Sequence, residues 1–168
     1  MRKISLAAAL LLAAVPFAAP AMDLTTGPDA VKWGPAPPAL PPGAQLTVLS
    51  GDPGKDGPYV LRAKLPAGYT VPPHTHPTDE NVTVISGAFH FAMGDKLDKS
   101  KGEALKPGGF FRAEKGMQHY AWATAPTVIQ IHGTGPFAIT YVNPADDPRN
   151  KSASPMTPPA TSGSSPKQ

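Results

Sequence analysis

The sequence predicts an all-β protein, a sandwich or closed barrel of short strands. Three observations carry this. Segments rich in Val, Ile, Thr and aromatic residues recur through the centre of the chain, Gly/Pro turn signals separate them at short intervals, and no long stretch repeats with a helical period. The 168 residues suffice for one compact domain and are short for two.

The first 21 residues stand apart. Met1-Arg2-Lys3 is a basic start, residues 4–15 are apolar apart from Ser5, and Ala19-Pro20-Ala21 places small residues where a signal peptidase reads. The apolar run is shorter than the ~20 residues of a membrane-spanning helix. The expectation is a signal peptide over 1–21, cleavage after Ala21, and a mature chain that is periplasmic or secreted and not held in a membrane. Arg2 and Lys3 account for most of the formal charge of +3, since their removal leaves 13 basic against 12 acidic residues. No basic cluster remains to suggest nucleic acid as a partner. There are no cysteines, so disulfides, thiolate metal sites and a thiol nucleophile are excluded.

Proline marks the next boundary. Six of the 23 prolines fall between Pro28 and Pro42, so residues 22–43 cannot be helix or central strand and read as an extended arm. Trp33 and Leu40 are its apolar anchors, against the barrel or a partner subunit. Residues 44–143 form the barrel, with strands expected at 45–49, 59–64, 80–86, 88–93, 109–112, 118–123, 128–132 and 137–142. Glycine and proline punctuate them at 51–54, 66–68, 86–87, 106–108 and 133–136. The charged stretch 94–104 reads as a solvated loop. Six further prolines lie from Pro144 onward, and residues 144–168 read as a disordered tail.

Five histidines are present, at 74, 76, 90, 119 and 132. In extended backbone, positions i and i+2 share a face, so His74 and His76 can share a metal ion. Glu80 adds a carboxylate four residues on. Imidazole with carboxylate suits Fe, Mn, Co, Ni, Zn or Cu. Gly68, His74, His76, Glu80 and Gly87 occupy every defined position of the pattern G-x5-H-x-H-x3-E-x6-G. Gly108, Gly116 and His119 follow a second, G-x5-P-x-G-x2-H-x3-N, with Glu114 and Ala123 in place of its Pro and Asn.

Those two motifs resemble the cupin superfamily over about half of the barrel. The resemblance implies a double-stranded β-helix, or jelly roll, with one divalent metal held by His74, His76, Glu80 and His119 and coordination positions left for water, dioxygen or substrate. It implies that Gly68, Gly87, Gly108 and Gly116 are turn residues, and that two copies can pair as a homodimer. The small-molecule chemistry implied is dioxygenase-type first, with isomerase, hydrolase and decarboxylase reactions known on the same barrel. The alternative is a barrel that binds or senses a metal or small ligand without catalysis, and fold does not decide between the two.

The remaining candidates are read from alternation. With His119 inward, Ala121 and Ala123 also face in, and Tyr120 and Trp122 face out, under the arm or at a subunit interface. His132 shares a parity with Gln130 and Val128, so the three can line the pocket, where a histidine serves as a ligand's partner or a general base. Otherwise it is hydrogen-bonded in the wall. Gln118 and Arg112 are further pocket candidates, Arg112 for an anionic substrate or as an exposed edge-strand charge. His90 reads as an ordinary strand residue. Asn81-Val82-Thr83 fits a glycosylation acceptor but lies within a predicted strand.

Overall fold

The computed structural model describes residues 25–151. The expected signal peptide and the tail beyond Lys151 lie outside the described residues. Eleven strands follow in order: β1 Gly34–Pro35, β2 Gln45–Ser50, β3 Gly57–Leu65, β4 Thr70–Thr75, β5 Glu80–Ser86, β6 Phe89–Met93, β7 Glu103–Leu105, β8 Phe110–Ala113, β9 His119–Ala123, β10 Thr127–Gly135 and β11 Thr140–Tyr141. They pair antiparallel into a sheet of order β1-β2-β3-β10-β5-β8 and a second of order β11-β4-β9-β6-β7. Two such sheets closing over a shared core make a jelly roll. Among the described residues, no helix is long and apolar enough to cross a membrane.

Alternation builds the core. Tyr59, Leu61, Ala63 and Leu65 of β3, Val82 and Val84 of β5, and Ile129 and Ile131 of β10 face inward and meet Phe89, Ala121 and Ala123 of the other sheet. Gly68, Gly87, Gly108 and Gly116 all take positive φ, between 75° and 90°. At Gly87 the need is twofold, because a Cβ would also run into the Pro126 carbonyl and Thr127.

Four expectations need correction. The stretch 94–104 is not simply solvated, since it runs into β7 and covers Tyr120 and Trp122. The Tyr120 hydroxyl donates to the Asp98 carbonyl (2.7 Å), and Gly102 lies so close to the Trp122 ring that a side chain would collide with it. Tyr120 and Trp122 do face outward, but they are buried with Ala92 in a second cluster beneath this loop rather than under the arm. The predicted strand 137–142 narrows to β11, with the Phe137 N–H donating to the Pro53 carbonyl (2.7 Å). Residues 144–151, expected in the disordered tail, are ordered instead, because 144–146 and 148–151 form short helical turns and Arg149 grips Asp147 and the Ile139 carbonyl. Strands β1, β4 and β7 were not foreseen, and the one that bears on the site is β4. Its Pro72-Pro73 pair lacks N–H donors, and its ladder with β9 slips between Val71 and His74.

The arm packs on the barrel, as its apolar anchors suggest. Edge strand β1 pairs with β2, and the Lys64 ammonium sits 4.8 Å from the centre of the Trp33 ring. Two barrel tyrosines hold the arm further along, Tyr69 donating to the Pro41 carbonyl (2.7 Å) and Tyr141 to the Ala39 carbonyl (2.8 Å).

Candidate metal centre

The slip in β4 sets His74 directly opposite His119 of β9 and beside Tyr141 of β11. His76 lies just beyond the end of β4, its carbonyl accepting from the Gly116 N–H (2.9 Å). Glu80 opens β5 in the other sheet, between Ala113 and Gly133. The site therefore bridges the two sheets. All four residues are buried, none more than 6% exposed.

The three imidazoles converge, with ring centres 4.3–5.2 Å apart. One nitrogen from each lies within 4.8 Å of the others. Each ring uses Nδ1 on a backbone carbonyl: His74 on Pro72 (2.7 Å), His76 on Ala138 (2.8 Å) and His119 on Met117 (3.0 Å). A carbonyl only accepts, so in each neutral ring Nδ1 carries the hydrogen and Nε2 presents a bare lone pair. Nε2 of His76 and of His119 both lie 3.4 Å from Glu80 Oε2. The His76 nitrogen is buried and has no hydrogen-bond partner at that geometry.

Electrostatics follow from this crowding. Burial, with the His119 and His76 rings beside it, pushes the His74 imidazole down to about 3. Burial works to raise the Glu80 carboxyl, but His119 and His76 outweigh it and hold the group below the usual carboxylate range. Burial likewise opposes protonation of His76, yet the Glu80 carboxylate beside it raises that imidazole. Bare nitrogen lone pairs facing a buried carboxylate repel one another unless a proton or a metal cation lies between them. Three imidazoles with backbone-anchored Nδ1 atoms are the arrangement a bound metal needs, so the residues fit a divalent ion.

The four side chains line one end of a cavity of about 60 Å³. The rest of its wall is hydrocarbon and aromatic, including Leu40, Val71, Phe111, Ile129, Ile131 and Phe137, with Tyr69 its one other hydroxyl and that engaged with Pro41. Phe137 stacks on His76 at 4.7 Å. Tyr59, buried behind Phe137 at 5.5 Å, carries a hydroxyl with no partner.

His74, His76, Glu80 and His119 are thus brought together, and Ala121 lines the cavity as expected. The other candidates are not in the pocket. Val128, Gln130 and His132 sit on the outer face of β10, because Ile129 and Ile131 take the inner one. Alternation leaves the choice of face open, and branched hydrocarbon is buried at less cost than an amide or imidazole. Gln130 accepts from Arg62 (3.1 Å). Arg112, on edge strand β8, pairs with Asp79 at 2.8 Å, the exposed-charge reading. Gln118 is exposed. His90 meets Thr124 (3.2 Å) and stacks on Trp122, away from the site. Leu40, Tyr69, Phe137 and Tyr141 escaped notice as site residues. Only their apolar or aromatic character within the arm and strand segments signalled them.

A family model described as the ChrR cupin-like domain matches residues 21–138. No curated protein matches the chain by sequence. Among solved structures, a candidate acetylacetone dioxygenase from Methylibium petroleiphilum is 18% identical, with a TM-score of 0.57 over 83% of this chain and 90% of that one. The polyketide cyclase RemF from Streptomyces resistomycificus is also 18% identical, with a TM-score of 0.57 over 78% and 93%. The DMSP lyase DddQ from Ruegeria pomeroyi is 20% identical, with a TM-score of 0.50 over 64% of this chain and 57% of that one. At these identities the likeness is one of fold, and the three names describe three different reactions.

Proposed function

The chain belongs to the ChrR cupin-like domain family, and from that premise we propose that it is a metal-dependent enzyme holding one divalent ion on His74, His76, Glu80 and His119 and acting on a small molecule by dioxygenase-type chemistry. A redox-active ion there supplies Lewis acidity and a route for electrons between substrate and dioxygen. The chain's own residues do the rest. Pro72, Met117 and Ala138 carbonyls hold the three rings with Nε2 inward. Glu80 supplies the negative charge that offsets part of the ion's. The hydrocarbon wall excludes water.

The observation that carries the reaction class is the wall itself. Among the described residues, apart from the four proposed ligands and the engaged Tyr69, no hydrogen-bonding or ionisable side chain lines the cavity. Reactions that rely on a side-chain acid or base need one positioned beside the reacting atoms, and in this cavity only the proposed ligands stand there. An apolar chamber with a single polar end suits dioxygen and a weakly polar substrate. A volume of about 60 Å³ favours a second reading, a binding barrel whose metal takes nothing larger than water. Export and pairing of two copies belong to the same proposal.

Elemental analysis of protein purified without added metal, followed by oxygen-electrode assays against enols, diols and thiols, tests both. About one Fe or Mn per chain with substrate-dependent oxygen uptake is the expected result. One tightly held Zn and no uptake would establish the binding barrel. Absence of any metal would remove the ligand assignment.

A further inference from the structure

Leu40 has two sides. It lines the histidine cavity, and it also lines an outer cleft of about 290 Å³. Leu46, Leu61, Phe137 and Ile139 are shared between the two spaces in the same way. The outer cleft is floored by Pro37, Ala39 and Pro53, with Arg149, held by Asp147, at its edge. Other clefts, beside Asp95, beside Lys115 and beside His132, share no lining residue with the cavity.

The partition is held lightly. On either side of Leu40, the chain is tied to the barrel by the Tyr141 hydroxyl on the Ala39 carbonyl and the Tyr69 hydroxyl on the Pro41 carbonyl. Ala39, Leu40 and Pro41 are only partly buried. The opposite bank is equally consequential, because the Ala138 carbonyl orients His76 and Phe137 stacks on its ring.

We propose that the seam between residues 37–41 of the arm and residues 137–139 is the way into the histidine cavity, with Leu40 as the side chain that closes it. The ligand it admits has an apolar body, lodged in the outer cleft, and one small polar head that reaches the histidines. This names the substrate class of the proposed enzyme. It rests on that reading only in taking the cavity as the working site.

Its test uses metal-free protein, so a failed metal assignment and a failed entrance give different results. Diethylpyrocarbonate acylates bare imidazole nitrogens, and mass spectrometry resolves His74, His76 and His119 from His90, the internal reference. Tyr69→Phe and Tyr141→Phe each remove one tie and change little else. Each is expected to raise the rate at the three cavity histidines about fivefold relative to His90, the scale of one net hydrogen bond. Leu40→Ala should raise it further. Unchanged rates, or a rise matched at His90, would overturn the route. Acetophenone, with an apolar body and one carbonyl, should slow the reaction at the cavity histidines in the wild type, and glycerol should not. Equal effects of the two would overturn the ligand class.

Discussion

His76 Nε2 is a buried nitrogen that points at a carboxylate and bonds to nothing. A metal ion resolves that conflict, and the resolution is specific to particular residues. His76→Ala and Glu80→Gln should each lower metal affinity by roughly 10–100-fold or more, since even second-layer changes have effects of that size. His90→Ala, remote from the site, should leave metal content unchanged. Equal metal content in all three, measured by elemental analysis after dialysis, would refute the assignment. The same residues set a pH response in the metal-free protein. His74 is pushed from its ordinary 6.5 to about 3, so between those values the unfolded chain binds the extra proton. Stability then falls as pH drops through that window. Glu80, also depressed, acts in the same direction from its ordinary 4.5 downward, while the raised His76 opposes both. The urea midpoint of metal-free protein should fall between pH 6.5 and 4, and His74→Asn should flatten that slope.

The segment 94–104 changes meaning between chain and structure. Its charges, at Asp95, Lys96, Asp98, Lys99, Lys101 and Glu103, are exposed or partly exposed, as a solvated loop requires. Its backbone faces inward, and Gly102 is pressed against Trp122. Charge density reports which side chains seek water and is silent about what a backbone covers. Gly102→Val should force the loop off the Trp122 ring and cost about 1–3 kcal/mol in thermal or urea unfolding, with metal content preserved. Gly87→Ala should cost at least as much, because a left-handed backbone and a collision with the Pro126 carbonyl act together. Strand β5 was legible to the residue, since its valines alternate between turn signals. Strand β4 was not, because Thr-Val-Pro-Pro reads as coil. Its place between β9 and β11 is set by neighbours that donate to it, as the Val142 N–H does to the Pro73 carbonyl (2.9 Å).

At the scale of the whole molecule, the histidine cavity and the outer cleft share a wall of apolar side chains, and Leu40 of the arm is one of them. The arm matters to the site because Leu40 reaches the cavity from a segment 34 positions before His74. The proposal of export belongs at this scale too. Sequencing of the exported protein should give Met22 as its first residue. A chain recovered intact from the cytoplasm would refute it.

Local information in the chain determined the all-β class, the shared face of His74 and His76, and the glycines at the turns, while the joining of Glu80 and His119 to that pair was implied by the resemblance of two motifs to the cupins. Alternation, spacing and backbone freedom are properties of a few consecutive residues. Only the tertiary structure decided which face of β10 looks inward, and with it that His132 stands outside. It alone decided what covers Tyr120 and Trp122, and that Leu40 of a proline-rich arm lines the cavity. Those outcomes depend on contacts between distant segments, where burial of hydrocarbon competes across the whole fold and no local pattern carries the answer.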